Sequence, residues 1–563
     1  MNFKLRGPAS TGLRPNRENQ VTLLLSVVIG ALVGLVVVAF ILLTGRLAAR
    51  MYPAGEAAWR RALVPVLGSL GTGYLLWKFF PDARGSGIPQ TKFAIFITDG
   101  YISLRTVLGK FFCCSASLAS GIALGREGPS VQIGAGIASV LGRRFGLSRE
   151  NLKSLIPIGS SAALAAAFNT PIAAVLFSLE EVLGDLHAPV LGSVVLSSAT
   201  SWMVLHLILG DEPLFHVPAY HLVDPTEFLI YAVLGVVGGL GSVIFVKLLL
   251  NLRVWFKSLP KSTVWFQPVA GGLLVGVMGL FMPEVLGVGY DYVEKVLGGD
   301  MLLRTVVILA VLKIVATASC YASGNAGGIF GPSLFIGATI GGAVGSIAHS
   351  FFPTWTANPG AYALVGMGAV FAGIVRTPLT SVIMIFEMTR DYSIIVPLMI
   401  ANLISFFVSS RLQRQPIYEA LAHQEGVYLP GEETREHLTR LRVSDIVRQE
   451  EPVAAGATLE SIKQSLDDSQ RKAWPVTQGN LLWGLMTRAQ IENAEGATLV
   501  SDIVQFDSKF PYVHPDQPLS LALEKMGLAG IDILPVVSRA DIHKLLGVVT
   551  LPETLDAYGL KKP

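Results

Sequence analysis

Apolar and polar positions alternate along this chain in long blocks. The first twenty residues are polar and carry Lys4, Arg6, Arg14 and Arg17, and the stretch from Val21 to Thr44 is then apolar. That stretch is too long for a signal-peptide core and long enough to cross a bilayer core of ~30 Å. The Lys/Arg bias before it predicts a cytoplasmic N-terminus. Further apolar runs cover roughly 62–80, 105–123, 129–142, 154–167, 171–183, 189–209, 226–250, 264–281, 302–321, 333–350, 361–375, 378–388 and 393–410. Several fall short of the ~20 residues a full crossing needs. Gly and Pro break the short runs at matching places in two halves, which predicts broken or re-entrant helices around a site at mid-depth.

The chain repeats itself. Residues 128–142 read GPSVQIGAGIASVLG and residues 331–345 read GPSLFIGATIGGAVG. The segments 158–180 and 365–387 also agree, pairing Gly159 with Gly366, Pro171 with Pro378 and Glu180 with Glu387. A duplicated membrane unit follows, with halves at about 21–215 and 225–425 in inverted orientation.

After Gly431 charges return and the apolar runs become short and alternating. Val443-Ser444-Asp445-Ile446-Val447 is echoed by Val500-Ser501-Asp502-Ile503-Val504. Each leads through an amphipathic helix, Thr458 to Leu466 or Pro518 to Met526, into a strand pair that ends at Thr487 or Thr550. The organisation expected is an N-terminal cytoplasmic segment 1–20, a membrane domain 21–425, a linker 426–440 with Arg435 to Arg442 as a solvated helix face, and two α/β domains at 441–495 and 498–558.

Composition agrees with the pattern: 52% of residues are hydrophobic, 15% are charged and 58 are Gly, with mean hydropathy +0.56. The chain therefore reads as an all-α polytopic membrane protein with a C-terminal α/β appendage. A net charge of +3 over 563 residues makes no case for nucleic acid. Cys113, Cys114 and Cys320 lie in apolar runs and read as small buried hydrophobes. No HExxH and no His cluster sits in the apolar runs, so no enzyme and no cofactor is expected. A cation transporter would need an acidic ring facing its pore.

One charge stands out. Glu127, within Gly125-Arg126-Glu127-Gly128-Pro129-Ser130, sits at the start of an apolar helix; the echo Gly328-Ile329-Phe330-Gly331-Pro332-Ser333 lacks the acid. Pro suits a first helical turn and Gly allows close backbone approach. The unpaired N–H groups of such an end, backed by the helix dipole, form an anion site without a full positive charge. A carboxylate there is itself an anion, so when ionised it occupies the seat and when protonated it frees it. An ordinary acid at a helix start gains only about 0.3–1 kcal/mol. That is small beside the several kcal/mol cost of a charge at membrane depth, so a functional role is expected.

Together with Gly85-Ser86-Gly87-Ile88-Pro89 and Tyr418, these motifs resemble the signature set of the CLC chloride channels and proton-coupled chloride transporters, in order over about residues 20–425. The resemblance implies a homodimer in the cell membrane with both termini cytoplasmic and one anion pathway per subunit, carrying chloride and protons. It implies chloride contacts at Ser86, Gly87, Ile88, Arg126, Glu127, Gly128, Ile329, Phe330 and Tyr418, with Glu127 as gate. Glu181 resembles the internal proton-transfer acid of exchangers; passive channels usually lack an acid there, and a passive channel of the same fold stays open as the alternative. Ser86, where a proline would suggest nitrate, argues for chloride, and the intact Gly-Ser-Gly-Ile-Pro run argues against the fluoride-exporting branch. Lys313 reads as a lone intramembrane cation with a buried partner or a snorkelling end. Residues 441–558 resemble a pair of cystathionine-β-synthase-type (CBS) domains, which often bind adenine nucleotides. Thr487 and Thr550 stand where a Thr-x-x-Asp ribose contact begins, but Gln490 and Glu553 occupy the acid position, which favours a regulatory or dimer-stabilising role.

Overall fold

The computed structural model describes residues 15–558 except 54, 56, 187, 212, 219, 221–222, 300, 428–440, 467–470, 480, 495–497 and 507–509. The expected linker thus lies almost wholly outside the described residues, as does most of the N-terminal segment. The chain divides into two compact units, Met1–Leu429 and Pro430–Pro563.

The first unit is helical. Its first half runs through α1 (Pro15–Met51), α2 (Ala58–Lys78), α3 (Ile88–Phe96), α4 (Leu104–Ala119), α5 (Glu127–Arg144), α6 (Arg149–Phe168), α7 (Pro171–Phe177) and α8 (Leu191–Leu209). The second half repeats the plan in α9 (Glu227–Ser258), α10 (Pro268–Phe281), α11 (Tyr290–Gly298), α12 (Leu303–Ser323), α13 (Phe330–Phe351), α14 (Pro359–Val375), α15 (Pro378–Thr389) and α16 (Ile395–Leu412), followed by α17 (Ile417–Gln424). Among the described residues, six helical stretches are long and apolar enough to cross a membrane. By contrast α3 and α11 have 9 residues each, or about 14 Å of helix, and end inside any bilayer.

Corresponding elements meet across the pseudo-axis: α2 packs on α10, α7 on α15 and α5 on α13. Equivalent residues exchange equivalent bonds. Gly125 N–H donates to Gly328 O and Gly328 N–H to Gly125 O, both at 2.7 Å, which is the reciprocity a two-fold relation produces. The glycines shared by the repeats are packing sites. A Cβ on Gly134 would stand 2.2 Å from Gly159 O and one on Gly159 2.3 Å from Gly134 O; Gly337 and Gly366 repeat this at 2.4 Å each way. Only glycine lets α5 cross α6, and α13 cross α14, that closely.

The second unit holds β1 (Val453–Ala454), β2 (Ala473–Gln478) and β3 (Leu481–Thr487) in one sheet, and β4 (Ile533–Val537) with β5 (Leu545–Thr550) in another. β1 runs parallel to β2, while β2–β3 and β4–β5 are antiparallel, each with one register shift. Helices Leu459–Leu466 and Leu519–Ala529 precede the strand pairs, and Arg488–Glu492 and Leu551–Ala557 follow them. The two echoed Val-Ser-Asp segments form matching single turns: Asp445 accepts from Arg442 N–H at 2.8 Å and Asp502 from Leu499 N–H at 2.9 Å. Ala473 and Leu485 of the first subdomain enter the second subdomain's core, so the pair shares apolar surface.

Candidate anion and proton site

The reciprocal Gly125–Gly328 bridge sets the starts of α5 and α13 against each other. In both, Pro at the third helical position removes an N–H that would have had no acceptor. Glu127 opens α5, is fully buried, and turns its carboxylate across to the other half. Its Oε2 accepts from the Gly331 N–H at 3.1 Å, and its Oε1 accepts from the hydroxyl of Tyr290, which opens α11. Arg126 Nε lies 3.9 Å from Oε1, with its guanidinium 5.4 Å from the Tyr290 ring centre. The first half's acid therefore sits on the second half's helix start, where backbone N–H donors and the helix dipole favour negative charge.

Beside it are the other sequence-predicted residues. Ser86 is buried in a turn in which Gly85 and Gly87 have φ of 93° and 105°. Tyr418, at the start of α17, is also buried. Neither the Ser86 nor the Tyr418 hydroxyl closes a hydrogen bond of good geometry among the described residues; the Tyr321 hydroxyl stands next to Ser86. Two buried hydroxyls left open cost about 1–3 kcal/mol each, a cost a bound anion removes. The Ile329 and Phe330 N–H groups have no backbone acceptor among the described residues outside the helices. The Phe330 ring lies 4.8, 5.4 and 4.4 Å from the rings of Phe168, Phe177 and Phe371. Gly87 differs from the sequence reading, because its N–H is taken by Gln90 Oε1 at 2.9 Å; the Ile88 N–H beside it has no backbone acceptor outside the helices among the described residues. Gly128 is a packing position, since a Cβ there would stand 2.5 Å from Ser86 O.

Glu181 lies in a π-helical turn, Ser178–Leu183, that continues α7, and it is buried. Its Oε1 accepts from Lys92 Nζ at 2.8 Å, with both side chains 7% exposed. Sequence reasoning missed Lys92, although a cation on a nine-residue intramembrane helix requires an acid nearby. It missed Tyr290 for want of any signal: the tyrosine begins a short helix and its partner lies 163 residues away.

Two further pairs frame the site. Glu180 Oε2 accepts from Thr380 N–H and Oγ1–H at 2.9 and 2.6 Å, while Glu387 accepts from the N–H groups of Ile172 and Ala173 at 2.9 and 2.6 Å. Each half's duplicated glutamate thus caps a helix of the other half. Lys313 is not alone: it donates to Val285 O and Gly287 O at 3.1 and 2.7 Å, and Lys110 donates to Ala83 O and Gly85 O at 2.9 and 2.6 Å. These bonds make Gly287-Val288-Gly289-Tyr290 the counterpart of Gly85-Ser86-Gly87-Ile88, an equivalence the sequence comparison did not reach.

In the second unit, Thr487 and Gln490 are committed to one helix cap, with Gln490 Oε1 accepting from Thr487 N–H at 2.8 Å and from its hydroxyl at 2.9 Å. Glu553 pairs with Arg448 at 2.8 Å, and Thr550 makes no side-chain cap bond. These residues do not fit a ribose contact.

A duplicated helical membrane unit, with two helix starts face to face and one buried acid between them, defines the class. The family model described as voltage gated chloride channel matches residues 68–410, and the chain belongs to that family. It is 34% identical over 357 residues to a protein of Vibrio campbellii named H(+)/Cl(-) exchange transporter ClcA, covering 62% of this chain and 76% of that one. The crystal structure of a slow cyanobacterial Cl-/H+ antiporter is similar at TM-score 0.66 and 27% identity, covering 74% of this chain and 99% of that one. A eukaryotic CLC transporter shares the fold over 95% of this chain and 98% of its own, at TM-score 0.62 and 19% identity.

Proposed function

We propose that this protein exchanges chloride for protons across a cell membrane as a homodimer. The observation that carries the reading is the seat of Glu127, whose carboxylate occupies the helix-end donors of the second half while the hydroxyls of Ser86 and Tyr418 stand open nearby. When ionised, Glu127 competes with chloride for those donors; when protonated, it leaves them. Proton uptake and chloride occupancy are therefore linked, and the linkage is reciprocal. Hydroxyls and backbone N–H groups bind an anion without a full counter-charge, which lets it depart again.

Glu181 serves as the inner proton acceptor. The Lys92 ammonium beside it offsets part of the burial that opposes the ionised form, so the acid can both take up and give back a proton. The relatives named as exchangers support exchange over passive conduction. We read the C-terminal unit as a CBS-type pair that regulates transport or steadies the dimer from the cytoplasm, without an adenine nucleotide at Thr487 or Thr550. Reconstituted protein in liposomes, loaded with chloride and followed by chloride and pH electrodes together, tests the reading. Chloride leaving down its gradient should drive protons inward; chloride efflux with no opposed proton movement defeats it.

A further inference from the structure

We propose that Tyr290 is a latch that holds Glu127 in the anion seat and sets the pH at which the acid lets go. The inference rests on the gating role of Glu127 given above. Of the two carboxylate oxygens, Gly331 N–H engages Oε2 at 3.1 Å and the Tyr290 hydroxyl engages Oε1, so the second half grips the acid from two elements, α13 and α11.

The phenol is held on both sides. Its ring meets Phe215 edge-on at 5.5 Å and 86°, and the Arg126 guanidinium lies 5.4 Å from its centre. Glu294, one turn further along α11, accepts from His216 N–H at 3.0 Å and contacts His216 Nδ1 at 2.9 Å. The connection between the halves, which carries Phe215, is thereby fastened to the helix that presents the phenol. In the first half the equivalent position is Ile88, which has no hydroxyl to offer. The asymmetry matches the one acid the pair of helix starts contains.

Tyr290 donates, so its hydroxyl engages the carboxylate in the seat and must be given up before the acid can leave. The other groups facing Glu127 are Arg126 on its own element and Tyr418 on α17, which feels the charges of both Glu127 and Glu181. Lys313 on α12 approaches the same turn, but its ammonium is committed to Val285 O and Gly287 O. None of these replaces the phenol's bond to Oε1.

Tyr290→Phe keeps the ring and its contacts with Phe215 and Arg126, and deletes the hydroxyl alone. In liposome flux measured over a pH series, the half-point of transport should move up by about one unit, a tenfold change in proton affinity or about 1.4 kcal/mol. In detergent at pH 7.5, chloride titrated into Tyr290→Phe by calorimetry should bind about tenfold more tightly, because the competing carboxylate is held less firmly. On a Glu127→Gln background the same change should move neither quantity. An unmoved or lowered half-point, unaltered chloride binding, or an equal shift on the Glu127→Gln background each overturns the latch. The binding arm needs no proton coupling: a wild type that moves chloride without protons, with Tyr290→Phe still tightening chloride, refutes exchange and leaves the latch standing.

Discussion

The two halves of the membrane unit share a scaffold and differ in what it carries. Lys110 and Lys313 tie down equivalent turns, Glu180 and Glu387 cap each other's helices, and paired glycines bring α5 onto α6 and α13 onto α14. At the centre the match stops: Glu127 corresponds to Phe330, Ser86 to Val288, and Ile88 to Tyr290. The duplicated side chains hold backbone, whereas those suited to anions and protons occur once. The acid on one helix start and the differently placed hydroxyls on the two turns make the halves chemically unequal.

Removing the singular residues should have the largest effects. Glu127→Gln is expected to leave chloride flux in liposomes but abolish its pH dependence and its proton coupling; coupling retained at the wild-type ratio would place the gate elsewhere. Glu181→Gln should stop proton movement while chloride still crosses, and simultaneous pH and chloride electrodes distinguish this from general loss of transport.

Changes to the duplicated residues should be smaller and should come in matched sizes. Glu180→Ala removes the acceptor of the Thr380 N–H and hydroxyl, and Glu387→Ala that of the Ile172 and Ala173 N–H groups, each at a helix start and each costing about 1–3 kcal/mol. Thermal unfolding in detergent should show comparable drops in Tm, with coupling ratios intact in whatever protein folds. A change of coupling ratio in one but not the other would show that the pair is functionally unequal.

The weakest effect is expected at Asp211, which joins the connection between the halves to Arg390 of the second. Hydrogen bonding from Arg390, then from His206, holds its carboxyl down at about 2, below the ordinary ~3.9. Its contribution is therefore present above pH ~4 and fades as pH falls toward 2. Because the pair is exposed, Asp211→Asn should reduce the Tm loss between pH 5 and pH 3 only slightly. A Tm loss clearly larger than that of the wild type over this range would contradict the assignment.

How much of this was legible in the sequence follows from what each residue contacts. The echo at 128–142 and 331–345 survives because glycine-on-backbone crossings tolerate no other residue, and such identities are visible in a single chain. Glu127, Ser86 and Tyr418 were readable from motifs whose neighbours in sequence are also their neighbours in space. The apolar runs passed over 81–104 and 282–301, where α3 and α11 lie, since nine-residue helices carrying Lys92 or Glu294 look like polar connections. Lys92 and Tyr290 gain meaning only from partners 89 and 163 residues away. Lys313 looked solitary because Lys110 sits in a run with little other identity to its counterpart, and only their matching carbonyl acceptors reveal the pair.

The exchanged caps bear on how such a chain is made. The N–H groups of Ile172 and Ala173 wait for Glu387, which lies 215 residues downstream of Ile172. At ~5–20 residues per second, synthesis takes about 10–40 s to supply it. During that interval the first half sits in the bilayer with a helix start unsatisfied, so insertion of the first eight helices does not amount to their folding. The ribosome delivers the halves in sequence, and the cap on α7 closes only once both are present.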